Sequence, residues 1–141
     1  MMRVAVVMLL VALSGYPVLA QQPYMYISVS ANMIEDGGSC KIGLLVINFG
    51  HVTLDNITLH LSIEDKEGNN LGSITKRFRY VDPGKDVGGD FYRRWRCYKI
   101  GTMTVREVTS CRFGGKSYRG CEKLLMERKF KVTNILPRLT E

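Results

Sequence analysis

Strict alternation of apolar and polar residues is the feature that most constrains how this chain folds. The stretch ITLHLSI, residues 57–63, places Ile or Leu at every odd position and Thr, His or Ser at every even position. Successive side chains of a β-strand point to opposite faces, so this pattern predicts a strand with one buried face. A helix repeats every 3.6 residues and would scatter these apolar side chains around its axis.

The same alternation recurs along the chain, with turn-forming residues between the segments. The segments are 24–33, 40–49, 54–63, 71–80, 87–97, 102–112 and 121–132. Seven short strands within about 110 residues are typical of an immunoglobulin-like or fibronectin-III-like sandwich. We therefore predict an all-β, seven-stranded sandwich. An OB-type barrel is the alternative, although that fold uses fewer strands and usually includes a helix.

The first residues of the chain have the organisation of an export signal. Arg3 precedes an apolar run over 4–13, and Ala20 places a small residue before Gln21. This order is that of a secretory signal peptide cleaved after Ala20. A membrane anchor is the alternative, but the run is shorter than the roughly 20 residues that span a bilayer. We predict a secreted or periplasmic protein without stable membrane insertion, comprising a cleaved signal over 1–20, a sandwich domain over 21–132 and a frayed tail over 133–141.

Four cysteines follow the predicted signal, and an even number in an exported chain indicates two disulfides. Four cysteines allow three pairings. We favour Cys111–Cys121, which closes a short loop, and Cys40–Cys97, which joins distant segments. A zinc site is the alternative, but the chain has no C-x-x-C pair and its two histidines lie at no ligand spacing. We expect no metal and no cofactor.

The mature chain is moderately basic. Without Arg3, 19 of its 20 Lys and Arg residues remain against 13 acids, a net charge of +6. This charge permits attraction to phosphate, acidic glycans or acidic proteins and does not select among them. No nucleophile–base set accompanies His51 or His60, and no phosphate-binding loop or paired-carboxylate motif is present. We therefore expect no enzymatic activity.

Two segments combine aromatic and basic residues, the composition that protein interfaces favour. In FYRRWRCYK, residues 91–99, we expect Trp95 to pack inward near Cys97. The outer face of this segment then carries Tyr92, Arg94 and Arg96. In CRFGGKSYRGC, residues 111–121, a disulfide would pre-order the loop and reduce the entropy lost on binding. That loop would display Arg112, Phe113, Lys116, Tyr118 and Arg119.

Both segments also have a purely structural interpretation. The basic strand face is then simply solvated, and the loop disulfide only stabilises a small exported domain. The same mixture of arginine and aromatic residues would suit nucleic acid. Export argues against nucleic acid as the physiological ligand.

Residues 41–84 resemble the small bacterial envelope sandwiches of the FxLYD and CARDB families. The shared pattern consists of a strand ending in asparagine, an alternating strand, a D-x-x-G turn and a P-G turn. Here these are Val46-Ile47-Asn48, Leu54–Ile63, Asp65–Gly68 and Asp82-Pro83-Gly84. The chain departs from the first family at Ser62-Ile63-Glu64-Asp65, where that family has an aromatic residue before the aspartate, and it adds four cysteines.

This resemblance implies a sandwich that binds other macromolecules. It implies no enzymatic activity. A few secreted bacterial proteins of fibronectin-III-like build resemble cytokine-receptor modules and bind host signalling proteins. By that fold analogy, we expect an exported, non-catalytic, protein-binding sandwich. A periplasmic inhibitor, immunity protein or chaperone acting on a toxin or fibre subunit is the alternative. The run 44–47, apolar on both faces, is also a candidate surface for a homodimer.

Overall fold

The computed structural model describes residues 25–134, which form eight β-strands. The predicted signal over 1–20 and residues 135–141 of the predicted tail lie outside this range. The strands are β1 Ile27–Asp36, β2 Ser39–Asn48, β3 Leu54–Asp65, β4 Asn70–Val81, β5 Asp86–Arg93, β6 Ile100–Phe113, β7 Lys116–Ser117 and β8 Lys129–Asn134. Single 3₁₀ turns cover Cys97–Lys99 and Cys121–Leu124.

The strands form two layers that share β8. Sheet A has the order β8-β1-β2-β5, and sheet B has the order β4-β3-β6-β8. In sheet A, β8 runs parallel to β1, with Val132 opposite Ala31. In sheet B, β8 runs antiparallel to β6, with Phe130 opposite Met103. The predicted all-β sandwich with two disulfides is therefore confirmed, and the two-residue β7, which pairs with the end of β6, is an addition to it.

The core lies between the two layers and follows the alternation of the sequence. The odd-numbered residues of ITLHLSI on β3 are at most 1% exposed. The inner phases of β1 and β2 supply the opposite wall, including Val29, Ile42 and Val46. Each large aliphatic side chain removed from water contributes about 1.5–3 kcal/mol. Burial of these two faces therefore determines which side of every strand points outward.

Asn48, at the end of β2, holds two connections between the sheets. The residue is fully buried, and its Nδ2 donates to the carbonyls of Val52 and Val81, both at 2.8 Å. Its Oδ1 accepts the Gly50 N–H at 2.9 Å, and its backbone carbonyl accepts the Gly84 N–H at 2.7 Å. The β2–β3 and β4–β5 connections, which both cross between the layers, are thus bonded to one residue.

The other end of β2 is tied to the β5–β6 connection. Cys40 and Cys97 form a disulfide, and both are buried. The Glu35 carboxylate accepts the Cys97 N–H at 2.8 Å and pairs with Arg96 at 3.0 Å. These contacts, the Cys97 hydrogen bond foremost, hold the pKa of Glu35 below its usual value. The β2–β3, β4–β5 and β5–β6 connections all cross between the sheets. Each of them is therefore bonded to a residue of β1 or β2.

The outer edges of the two sheets, β4 and β5, approach each other. Phe78 of β4 lies against Gly89 of β5, where an added Cβ would be 3.2 Å from the ring. Arg93 Nη2 donates to the Ser73 carbonyl on β4 at 3.1 Å. These contacts bridge the side of the sandwich opposite β8.

Three details differ from the expected strand boundaries. The predicted strand 87–97 ends at Arg93, and Trp95 is half-buried against Gly72 of β4, beside the edge contacts. The predicted strand 121–132 begins instead as a 3₁₀ turn, and β8 starts only at Lys129. Met126 is consequently 60% exposed. β8 continues through Asn134, two residues beyond the predicted end of the domain.

Asn48→Ala is expected to lower the free energy of unfolding by about 3 kcal/mol, because it leaves two carbonyls and one N–H without their partner. Urea unfolding followed by circular dichroism measures this loss. Asn32→Ala, an exposed asparagine on β1, is the control and should change stability by less than about 0.5 kcal/mol. Equal losses for the two variants would contradict this role of Asn48.

The two disulfides should contribute unequally, because they close loops of different length. Their cysteines are 57 and 10 residues apart, Cys40–Cys97 and Cys111–Cys121 respectively. In the loop-entropy model, replacing the first pair with alanine costs about 4 kcal/mol and replacing the second costs about 3 kcal/mol. Urea unfolding of both double variants tests the order, and a larger loss for the Cys111–Cys121 variant would contradict it.

Candidate functional site

The outward side of sheet A carries a strip of apolar residues, which we call the aromatic face: Tyr26, Leu45, Ile47, Phe49 and Tyr92. Tyr92 is 55% exposed, Phe49 47% and Tyr26 41%. The Phe49 N–H donates to the Tyr26 carbonyl at 2.9 Å, which continues the β1–β2 pairing beyond the strand ends. Tyr92 lies opposite Lys41, and Gly43 with its neighbours Asn32 and Asp90 separates it from Leu45. The five residues therefore extend alongside positions 41–49 of the chain, about 27 Å.

Small neighbours leave the two aliphatic side chains of this strip uncovered. Leu45 pairs with Ser30 on one side and Gly88 on the other. Ile47 lies between Ser28 and Asp86. Both aliphatic side chains are half-buried, because no large cross-strand neighbour leans over them. The centre of the aromatic face is therefore a low apolar ridge that another surface can contact.

Charged residues support Tyr92 at one end of the strip. Lys41 Nζ lies 6.0 Å from the centroid of the Tyr92 ring and 3.2 Å from an Asp90 carboxylate oxygen. The hydrogen bond with Asp90 raises the pKa of Lys41, and the Asp90 charge acts in the same direction. The lysine therefore stays charged beside the ring. A cation over an aromatic face contributes about 0.5–1 kcal/mol at an exposed position.

The outward side of sheet B is polar by contrast. His60, on the central strand β3, has its Nδ1 3.0 Å from the Thr75 hydroxyl on β4 and its Nε2 2.9 Å from the Thr109 hydroxyl on β6. Thr58 precedes it on the same face, opposite Thr109 in the register. We call these four residues the threonine ladder. His60 acts here as a tie between three strands.

Beyond the ladder, Glu64 is a buried acid on the same side of the sheet. Its carboxylate pairs with Lys129 at 2.8 Å and Arg106 at 3.0 Å, and the residue is 6% exposed. The Thr102 and Thr104 hydroxyls donate to it at 3.2 and 3.3 Å. The Lys129 hydrogen bond is the main reason that the pKa of Glu64 is lowered, and it outweighs desolvation. The carboxylate thereby links β3, β6 and β8.

At the opposite end of this face, three arginines line a groove of about 390 Å³. We call it the arginine groove; its lining is Asp55, Asn56, Arg77, Arg79, Tyr80, Arg112 and Gly115. Arg79 and Arg112 come from β4 and β6, and Asn56 of β3 pairs with both in the register. Arg77 Nε donates to the Asn56 amide oxygen at 2.8 Å. The groove thus crosses three strands.

The loop 111–121 is a small hairpin that borders this groove. Cys111 and Cys121 form the predicted disulfide, and β7 pairs with the end of β6. Gly114 has φ +51°, and a Cβ there would lie 2.6 Å from Val52, so the turn requires glycine. Phe113 is 1% exposed and packs edge-on against Tyr118 at 6.0 Å. The expectation that the loop displays Phe113 is therefore corrected.

The remaining predicted binding residues fall into two groups at opposite ends of the sandwich. Tyr92, Arg94 and Arg96 are exposed near the Cys40 end of β2, where Arg96 pairs with Glu35. Arg112, Lys116 and Arg119 are exposed at the other end, and Tyr118 is half-buried there. The two segments therefore do not form one site.

Two parts of these surfaces were not among the predicted binding residues. The run 44–47 indicated an outward apolar surface, but Tyr26 and Phe49 lie at strand ends, where the alternation is short. Arg77 and Arg79 share one phase of β4, which is a detectable signal. Their approach to Arg112 depends on the pairing of β3 with both β4 and β6, which the sequence does not specify.

No protein-family model matches the chain, and no curated protein matches it in sequence. Among solved structures, IrmA from Escherichia coli is similar, with a TM-score of 0.53 and 15% sequence identity over 74% of this chain and 90% of IrmA. A CARDB domain from Pyrococcus furiosus, solved with di-metal ions, has a TM-score of 0.39 and 14% identity over 82% of this chain and 90% of that domain. The first likeness shows a shared fold alone, and the second carries no argument.

Two further findings concern the environment of the protein. Both disulfides indicate a non-reducing, extracytoplasmic compartment. Within residues 25–134, no helix has the length and apolar character needed to cross a membrane. Across the same residues, no three His, Cys, Asp or Glu side chains cluster in a way that could hold a metal ion.

Glu64 should contribute to the acid sensitivity of the fold. Its folded-state pKa lies below the ordinary value of 4.5, so its stabilisation is present above about pH 4.5 and is lost as the pH falls through the folded-state value. Glu64→Gln should therefore lose less stability than the wild type between about pH 6 and pH 3, in urea unfolding at each pH. Glu67→Gln, an exposed acid in the β3–β4 turn, is the control and should follow the wild type. A wild-type pH dependence in the Glu64 variant would contradict this role.

Proposed function

We propose that this protein is an exported, non-catalytic binding module that engages a protein partner through the aromatic face. The observation that carries the proposal is the contrast between the two outer surfaces of the sandwich. Apart from Tyr80 at its edge, the outside of sheet B is covered by threonine, histidine and charged side chains, whereas the outside of sheet A exposes Tyr26, Phe49 and Tyr92 around Leu45 and Ile47. Apolar residues gathered on one exposed face are typical of interaction sites.

The composition and rigidity of this surface suit protein recognition. Tyrosine is enriched among the residues that dominate interface energies, and apolar side chains at the centre of a contact exclude water from it. The strip is built on paired strands, and β2 beneath it is bonded at both ends. Little conformational entropy is therefore lost on binding. Charged groups lie at the border, among them Lys41, Asp86 and Asp90, as in the polar rim of an interface.

The proposal assigns no catalytic step. Both ring nitrogens of His60 are engaged with threonine hydroxyls, which favours a structural role for this histidine. Binding of a partner by the aromatic face requires neither a nucleophile nor a general base. Loss of an activity on His60→Ala, with the fold intact, would contradict the non-catalytic proposal.

The partner class that we propose is a host signalling protein outside the producing cell. The support is the fold analogy with secreted bacterial sandwiches that resemble cytokine-receptor modules, together with disulfides suited to an oxidising compartment. A partner recovered from the envelope of the producing cell, and not from host extracts, would instead place the function in the periplasm.

Leu45→Asp is expected to weaken partner binding by at least about tenfold, because a carboxylate would be desolvated at the centre of the contact. The partner is first captured by the mature protein from host-cell surface extracts, and its dissociation constant is then measured by biolayer interferometry. Ser73→Asp adds the same charge to the exposed outer side of β4 and should leave the affinity unchanged.

Two results would overturn this assignment. Equal affinities for wild type and Leu45→Asp would remove the aromatic face from the contact. A wild-type dimer that becomes monomeric in Leu45→Asp, measured by size-exclusion chromatography with light scattering, would make a second copy of the chain the occupant of the face.

A further inference from the structure

We propose that the arginine groove is a second binding site, for an acidic group on an extracellular polysaccharide whose neutral sugars run along the threonine ladder. The site lies on the outer side of sheet B, away from the aromatic face, and the inference goes beyond the function proposed for that face. It rests on the charge of the groove, the exposed tyrosine beside it and the hydroxyl groups that continue from it.

The charge of the groove is not compensated by the protein. The guanidinium groups of Arg79 and Arg112 have no ion pair or hydrogen bond with any residue from 25 to 134, and the Arg77 guanidinium donates to the neutral amide of Asn56. The one acid in the lining, Asp55, accepts the Gly115 N–H at 2.6 Å. Three guanidinium groups against one carboxylate leave a net charge of about +2. Guanidinium groups bind carboxylate and sulfate oxygens through paired hydrogen bonds.

The spacing of the arginines suits one acidic group between strands. Arg79 and Arg112 flank Asn56 on neighbouring strands, so their backbones lie about 10 Å apart. Arg77 is two residues from Arg79 on the same side of β4, about 7 Å along the strand. Long side chains at these separations converge on an oxyanion held between them.

Tyr80 forms an exposed aromatic edge to the groove. It is 76% exposed and has φ +55°, a left-handed conformation that is costly for a residue other than glycine. The adjacent Val81 is buried and its carbonyl bonds Asn48, so the fold holds this backbone in place. A flat ring kept in solvent beside an anion site can stack on the apolar face of a sugar ring.

Hydroxyl groups continue from the groove along the same surface. The Thr58 side chain lies on β3 two residues from Asn56, and the hydroxyls of Thr75 and Thr109 flank His60. A threonine hydroxyl has one donor and two acceptor positions, so those bonded to His60 retain capacity for sugar hydroxyls. Glu107, which pairs with His60 in the register, would accept further sugar hydroxyls and would repel a second nearby anion.

These features favour a sparsely charged saccharide over an acidic peptide. Apart from Tyr80 the lining of the groove is charged, polar or glycine, so it has no apolar pocket for the non-acidic side chains of a peptide. A chain with one acidic group per disaccharide places a charge on the arginines and neutral sugars on the ladder. Hyaluronan oligosaccharides have this arrangement and serve as the probe.

The test is isothermal titration of the mature protein with a hyaluronan octasaccharide and with the same octasaccharide after reduction of its carboxylates to alcohols. We expect binding to the acidic form, and at least tenfold weaker binding to the reduced form. The double variant Arg79→Gln with Arg112→Gln should lose about tenfold or more in affinity. Tyr80→Ala should weaken binding without changing its dependence on salt.

The matched control is Arg94→Gln with Lys99→Gln, which removes the same charge from exposed positions at the opposite end of the sandwich. It should retain the affinity within about twofold. Equal losses in the two double variants would show attraction by net charge alone and would overturn the site. A polyglutamate peptide of equal charge that binds as tightly as the octasaccharide would overturn the saccharide assignment. Leu45→Asp should leave this binding unchanged, which separates the result from that for the aromatic face.

Discussion

The hydrogen bonds of Asn48 are the constraint on which the arrangement of this sandwich depends. One buried side chain and its own peptide groups bond both connections that cross between the layers at this end. A buried amide of this kind favours a single arrangement of the two connections, because any displacement of one of them leaves a carbonyl or N–H unpaired in the interior. With the Cys40–Cys97 bond at the other end of β2, it fixes the position of sheet B relative to sheet A.

This constraint explains why the two outer surfaces can differ so much. The core determines only which phase of each strand points inward, and the outward phase is then free to vary. On sheet A that phase places Leu45, Ile47 and Phe49 in a row beside serine and glycine. On sheet B it combines hydroxyls with charges, which pair across strands around Glu64 and, within the described part of the chain, are unpaired at Arg79 and Arg112. The same scaffold therefore offers one surface suited to a protein and another suited to a polar, acidic chain.

Much of the fold could be predicted from the sequence, because period-two alternation and cysteine pairing are local or nearly local signals. The turn chemistry around Asn48 and Asp82-Pro83-Gly84 was also visible as a pattern, and the structure supplies its cause: the asparagine bonds the residues on either side of that turn. The 3₁₀ turn at Cys121–Leu124 was not predictable from alternation. There the disulfide and the left-handed Gly120 outweigh the apolar phase of the segment.

The candidate sites were less predictable, since they depend on which strands pair and in which register. Phe113 lies in a basic, glycine-rich segment that indicates an exposed loop, yet its side chain is buried in the core opposite Leu54. In the arginine groove, Arg112 lies close to Arg79 and Arg77, which precede it in the sequence by 33 and 35 positions. Their approach requires β3 to lie between β4 and β6. Alternation indicates the face of each residue, but not its neighbours across the sheet.

The double membership of β8 has a consequence for the order in which the chain matures. A chain becomes available for folding from its amino end during synthesis, and each layer lacks one of its strands until residues 129–134 are present. Up to that moment neither sheet has its full set of strands. Closure of both layers therefore depends on the last strand that the structure describes.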